Sequence, residues 1–172
     1  ASDRILGNVD APITVIEYAS FVCPTCATWN ISTLPLFQAK YIDTGQVRLI
    51  MRDMLTEPAQ QAAVAASIAR CALPERYYDV AHTLFVWQST ARNFQDWSAW
   101  YSRAATQAGV PVADLLTCVQ SPETAAAVQA SVAAGAAAGV QGTPTFFVNG
   151  RIVPGNGAMS DLSAAIDPLI QP

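Results

Sequence analysis

The tetrapeptide Cys23-Pro24-Thr25-Cys26 stands where an apolar, strand-like run, Ile13 to Val22, gives way to a stretch of helical pattern. That placement requires a strand–turn–helix unit with both sulfurs at the turn. A cysteine in the first turn of a helix faces unpaired backbone N–H groups and the positive end of the helix dipole, and both stabilise a thiolate. Pro24 suits the first helical position, where a missing N–H costs no hydrogen bond. Two intervening residues bring the sulfurs within one turn of each other, so that they can join and separate repeatedly. A redox dithiol is therefore the leading reading. Half of a zinc site has the same spacing but needs a second Cys or His pair. Cys71 and Cys118 lie far apart and His82 is the only histidine, so no metal is expected. An inert structural pair is the third reading, disfavoured because closing so short a loop removes little chain entropy.

A chain of 172 residues makes one large domain, or one domain with an insertion, and buries about 70% of its unfolded surface. The longest bland run, Ser131 to Val140, is too short to span a bilayer, and a soluble protein is expected. Net charge is −4 and the nine Lys and Arg residues are scattered, so no basic stripe offers itself to nucleic acid or anionic lipid. Four cysteines suit an oxidising compartment and are also ordinary in a reduced one. No signal peptide opens the chain, so an exported protein would be present here in processed form.

Punctuation divides the chain into three blocks. Thr14 to Ala19, Pro24 to about Ile42 and Gln46 to Arg52 read as strand, helix and strand, with Asp43-Thr44-Gly45 as the helix stop. Pro35 lies inside that helix, removes the hydrogen bond to the Ile31 carbonyl and predicts a kink. From Thr56 to Gly139 the pattern is helical throughout, with starts at Thr56, Pro74 and Ser121. Ser121 is followed by Pro122 at the first helical position and Glu123 near the positive dipole end. Asn93 is the expected cap of a helix over Phe94 to Ala108. Asn149-Gly150 between Thr145–Val148 and Arg151–Val153 predicts a tight hairpin, and Ser160 and Asp161 open a last helix. The class is α/β, with residues 1–55 and 140–172 forming one unit and residues 56–139 an all-helical insertion.

With these elements in order, the chain resembles the DsbA-like branch of the thioredoxin superfamily. The residues that carry the resemblance are Gly7-Asn8-Val9-Asp10-Ala11-Pro12, Glu17, Phe21-Val22-Cys23-Pro24-Thr25-Cys26 and Gly142-Thr143-Pro144-Thr145-Phe146-Phe147-Val148-Asn149-Gly150. The resemblance implies a thioredoxin fold interrupted by a helical domain, and an exported bacterial protein, periplasmic, that exchanges thiols and disulfides. Its redox group is the Cys23–Cys26 disulfide itself, with no separate cofactor. Its partners are reduced or unfolded exported proteins and, for reoxidation, a quinone-linked membrane oxidase of the DsbB type. Many strongly oxidising members carry His where this chain has Thr25, so an extreme potential does not transfer. Only about a dozen residues precede the first strand, which favours a monomeric oxidase over an isomerase or reductase built on an N-terminal dimerisation extension. A copper-handling or chaperone module using the same dithiol is the rival outside enzymology, and no Met-rich or His-rich tract supports it.

The resemblance also distributes roles. Cys23 is the nucleophile and Cys26 the buried resolving partner, while Pro24 and Thr25 border the substrate. Pro144 matches the family's cis-proline, and Thr143 before it contacts substrate through its backbone and hydroxyl. Glu17 interrupts an apolar strand; buried, it exchanges a proton with Cys26, whereas exposed it would only solubilise a strand end. Phe21, Val22 and Phe147 either border an apolar groove or belong to the core. Trp29 is core with a view of the redox state, and His82, Trp87, Trp97 and Trp100 are read as packing residues. If the chain is exported, Cys71 and Cys118 would hardly stay reduced beside an oxidising dithiol, and a structural disulfide between them is expected. Two buried free thiols acting as small hydrophobes are the alternative.

Overall fold

The computed structural model describes residues 3–172. Strands β1 (Ile5–Leu6), β2 (Ile13–Ala19), β3 (Val47–Asp53), β4 (Thr145–Val148) and β5 (Arg151–Val153) form one sheet in the order β1-β3-β2-β4-β5. β2 runs parallel to β3, with Ile13 opposite Val47 and Ala19 opposite Asp53, and antiparallel to β4, with Glu17 opposite Phe146. Alternation along β2 places Ile13, Val15, Glu17 and Ala19 on one face and Ile16 and Tyr18 on the other. The first face is closed by Trp29, Phe37, Tyr41, Leu162 and Ile166, and Tyr18 packs with Val140 and Phe147 on the second. Glu17 is thereby committed to the interior by the same periodicity that buries its apolar neighbours.

Between β3 and β4 the chain inserts helices α3 (Ala59–Cys71), α4 (Tyr77–Phe94), α5 (Trp97–Thr106), α6 (Val112–Val119) and α7 (Pro122–Ala137). Their core, with Leu84, Phe85 and Trp100 fully buried, is continuous with Phe21, Val22 and Cys26. The insertion is thus packed against the dithiol turn. Ser121 caps α7 as expected, its Oγ accepting from the Thr124 N–H at 3.2 Å. Asn149 and Gly150 take φ of 46° and 81°, the left-handed pair that the hairpin between β4 and β5 needs.

Four local expectations are corrected. The segment after Cys23 is not a single kinked helix: α1 (Pro24–Thr28) and α2 (Leu34–Phe37) are separated and followed by π-helical turns, Trp29–Thr33 and Gln38–Ile42. Pro35 has no N–H to keep the α ladder in register, and the Leu34 N–H reaches back to the Trp29 carbonyl instead. Asn93 is the last turn of α4 rather than a cap, because Gln95 turns left-handed at φ 53° and Asp96 caps α5, accepting from the Ala99 N–H at 3.1 Å. The helix expected from Thr56 begins at Ala59, and the Thr56 hydroxyl bonds Ser20 Oγ at 2.9 Å. Trp87 is exposed, under the Arg103 guanidinium at 3.6 Å, and His82 is exposed too, whereas Trp100 is core. β1, only two residues long, has no sequence signal.

Cys71, the last residue of α3, is disulfide-bonded to Cys118 of α6 with Cα atoms 5.8 Å apart. Thr124 Oγ1 lies 3.5 Å from each sulfur. No described helix is long and apolar enough to cross a membrane.

Candidate active site

The sheet delivers the chain to a short turn, Ser20 to Val22, and Cys23 then caps α1 in extended geometry (φ −80°, ψ 119°). Its N–H bonds the Ser20 carbonyl at 3.1 Å, and its Sγ accepts from the Cys26 N–H at 3.5 Å. Both cysteines are free thiols, Cys23 half-buried and Cys26 fully buried. Pro24 and Thr25 are exposed beside them. From the strand beside β2 comes the turn before β4, where the Thr143–Pro144 peptide is cis and Cys23, in its protonated form, donates through Sγ to the Thr143 carbonyl at 3.5 Å. A groove of about 520 Å³ runs past Gly142, Thr143 and Pro144 toward Val153 and Pro154.

The environment splits the acidities of the two thiols. The Cys26 thiol, donating to the Cys23 sulfur, is the main influence that brings Cys23 down to about 5, and the Thr143 side chain and the N–H groups of Cys26 and Thr25 add to it against desolvation. Burial pushes Cys26 far up, reinforced by its bond to Cys23 and by the nearby Glu17 charge. At neutral pH the outer sulfur is a thiolate and the inner one keeps its proton. Glu17 is completely buried, and burial raises its carboxyl to about 8 against the opposing hydrogen bond from Asn30. Asn30, in the first π-helical turn, donates through Nδ2 to Glu17 Oε1 at 3.0 Å, Oε2 at 3.3 Å and the Cys26 carbonyl at 3.0 Å. A proton-holding group that titrates near neutrality is therefore tied to the peptide of the buried cysteine.

The structure brings Glu17, Cys23, Cys26, Thr143 and Pro144 to one end of the sheet, with Pro24 and Thr25 at its surface. Phe21, Val22 and Phe147 are 2%, 0% and 7% exposed, so of the two readings open for them the core one holds. Trp29 is core as well, its Nε1 donating to the Gly157 carbonyl at 2.8 Å. Gly157 is required there, since a Cβ would stand 2.4 Å from the Phe146 ring and 2.8 Å from Trp29. No group of three or more potential metal ligands occurs among the described residues. Three polar side chains escaped the sequence reading: Asn30, Gln88 and Arg92. Asn30 had a local signal, being one turn beyond Cys26 on the same helical face. Gln88 and Arg92 had none, because only the tertiary fold brings α4 to the turn.

These acidities give the fold a redox-dependent pH response. Glu17 rises from an ordinary value of 4.5 to about 8, so between those pH values the folded chain holds more of its proton than the unfolded one. Its contribution is complete below 4.5 and is lost as pH rises through 8. Cys23 acts in the opposite sense, but only when reduced: its contribution is present above its ordinary value of 9 and is lost as pH falls through about 5. Urea unfolding is expected to show the form with Cys23 and Cys26 joined losing about 2–5 kcal/mol across the Glu17 window, with the dithiol form much flatter. Glu17→Gln should abolish the loss. Parallel curves for the two redox forms would contradict this account.

The arrangement defines a thioredoxin-fold protein whose dithiol opens the first helix after β2, with a helical domain inserted between β3 and β4. The sequence model of the family described as Thioredoxin matches residues 1–168, and the chain belongs to that family. A protein of Rickettsia felis named as a protein-disulfide oxidoreductase is 28% identical over 172 residues, covering 99% of this chain and 61% of that protein, so the chain spans somewhat under two thirds of such a relative. Among solved structures, α-DsbA1 of Wolbachia pipientis superposes with a TM-score of 0.84 at 23% identity, covering 98% of this chain and 90% of that one. Oxidised BdbD of Bacillus subtilis gives a TM-score of 0.84 at 23% identity over 96% of this chain and 91% of its own. These likenesses establish the DsbA form of the thioredoxin fold.

Proposed function

We propose that this chain is a thiol:disulfide oxidoreductase working as an oxidase, which forms disulfides in reduced, unfolded proteins outside the cytoplasm. The observation that carries the proposal is the split dithiol, a half-exposed Cys23 held down to about 5 beside a buried Cys26 held up. A thiolate so stabilised favours the reduced enzyme and makes its disulfide a good electron acceptor. In the cycle, a substrate thiolate attacks Cys23 Sγ of the enzyme disulfide, forms a mixed disulfide and releases the Cys26 sulfur. Glu17 supplies that sulfur with a proton. A second substrate thiolate then attacks the substrate sulfur of the mixed disulfide and expels Cys23 as a thiolate. Two electrons have moved from the substrate thiols to the enzyme pair.

The groove beside Thr143 and Pro144 would seat the extended substrate, and Pro24 and Thr25 would border it. The relative from Rickettsia felis and the DsbA fold support this reading. The enzyme acts as a single chain in the periplasm, and a membrane oxidase of the DsbB type restores its disulfide. The test is equilibration of the protein with reduced and oxidised glutathione, together with oxidation of a reduced, unfolded model protein. The expected result is that the enzyme disulfide is reduced by glutathione far more readily than an ordinary structural disulfide, and that it oxidises the model protein stoichiometrically. An equilibrium lying toward the enzyme disulfide would assign the protein to the reductases instead.

A further inference from the structure

The turn that carries Cys23 is held from the inserted domain. Phe21 and Val22 are 2% and 0% exposed, so their carbonyls have no access to bulk water and need partners in the protein. α4 supplies them. Gln88, itself 2% exposed, donates through Nε2 to the Phe21 carbonyl at 2.7 Å and to the Cys23 carbonyl at 2.9 Å. Arg92, one helical turn further, donates through a terminal guanidinium nitrogen to the Val22 carbonyl. Three successive carbonyls ahead of α1 are thus bonded by two side chains of another domain. Arg92 makes no salt bridge among the described residues, and its Nε is buried without an acceptor. The molecule has placed a half-buried cation, with no carboxylate to neutralise it, next to the segment that carries the exchanging sulfur.

We propose that Gln88 and Arg92 are positioning residues of the dithiol, through which the inserted helical domain sets how oxidising the Cys23–Cys26 pair is. This inference rests on the oxidoreductase reading above. Two effects act together. Turning the Phe21 and Val22 carbonyls toward α4 keeps their negative ends away from the Cys23 sulfur. The Gln88 bond to the Cys23 carbonyl, which also accepts from the Ala27 N–H of α1 at 3.1 Å, helps fix the extended backbone that lets this sulfur accept the Cys26 N–H. The guanidinium charge favours an anion at Cys23, and an anion is present only in the reduced enzyme.

The exchange to be measured is enzyme disulfide plus two glutathione thiols giving enzyme dithiol plus one glutathione disulfide. Gln88→Leu and Arg92→Met each remove donors at nearly constant volume, and each is expected to shift this equilibrium about tenfold toward the enzyme disulfide. Alkylation of the reduced protein as a function of pH should show the Cys23 thiolate appearing at higher pH in both. Arg92→Lys keeps the cation and a donor and should fall between wild type and R92M. If Q88L does not fold, Gln88→Asn, one methylene short of its carbonyls, should shift the equilibrium in the same direction. Wild-type equilibrium and alkylation profiles in Q88L and R92M, with only the melting temperature lowered, would reduce the pair to a structural brace and overturn the inference. Equal losses in R92K and R92M would also overturn it, by removing the cation from the account. Alkylation needs no exchange partner. A wild type that alkylates at acid pH yet fails to oxidise substrate would refute the oxidase function, while the variants' alkylation profiles still decide the role of Gln88 and Arg92.

Discussion

Cys23→Ser is expected to bring oxidation of a reduced model protein down to the uncatalysed rate, a loss of about a thousandfold or more, while leaving the fold intact. No disulfide can form at position 23, and a hydroxyl carries almost no anion at neutral pH. The half-buried position accepts the smaller oxygen without strain. The two cysteines should then prove unequal. Cys26→Ser also ends oxidase turnover, but it leaves the Cys23 thiolate able to attack a disulfide, and with no partner sulfur to expel the adduct it should accumulate a mixed disulfide with glutathione disulfide. Cys26→Ala should go further. The Cys26 thiol is the largest influence holding Cys23 down to about 5, and Ala supplies no donor, whereas Ser retains one. Alkylation of Cys23 is therefore expected to move to higher pH in C26A and to stay lower in C26S. Undiminished turnover by C23S, or trapping through Cys26 in its place, would remove the assignment of Cys23 as the exchanging sulfur.

The site was readable in the sequence to the extent that its chemistry is local. Cys23 and Cys26 are bound by short-range geometry: a strand, a turn, a helix start and two residues between the sulfurs. Glu17 was legible only through the resemblance, since a carboxylate in an apolar strand fits either a buried site or a solubilised strand end. The structure resolves the choice, with period-two alternation placing it on the face of Ile13 and Val15. The hairpin at Asn149-Gly150 and the cap at Ser121 depend on a few neighbouring residues and appeared where expected. What the sequence hid was either too short to carry a pattern, as β1 is, or determined by partners distant in the chain. Gln88 and Phe21 are separated by 67 positions and meet only because the insertion folds back over the dithiol turn. Asp53, buried at the end of β3, draws its partner from the insertion in the same way, with Arg70 Nε at 2.6 Å from its Oδ2. Pro35 is the intermediate case. Its chemistry correctly predicts a broken α ladder, but whether the break appears as a kink or as a widened turn depends on what packs against it, and here Trp29 and Asn30 occupy the first widened turn.

Joint replacement of Cys71 and Cys118 by alanine should cost about 4 kcal/mol of global stability and leave the redox chemistry untouched. The bond joins residues 47 apart, and in the chain-entropy picture closing such a loop restricts the unfolded ensemble by about that amount. For a chain of this size the melting temperature should fall by about 10 °C. The loss should not be confined to α3 and α6. Arg70 precedes Cys71 on α3 and pairs with the buried carboxylate of Asp53, which also carries an unpartnered Oδ1. Loosening the end of α3 therefore weakens the tie between insertion and sheet, and removing a buried partner is costly because the remaining charge stays desolvated. Thr124 loses both sulfur neighbours but keeps its bond to Ser121, so the start of α7 should survive. The glutathione equilibrium of Cys23 and Cys26 should not move, since Gln88 and Arg92 hold the dithiol turn from α4, which carries neither cysteine. Thiol counting separates the two bonds. Mild reduction of the native protein should expose only Cys23 and Cys26, and full reduction in denaturant all four. A double variant as stable as wild type, or one whose redox equilibrium shifts with its stability, would show that the two sulfur pairs are not independent in the way this fold separates them.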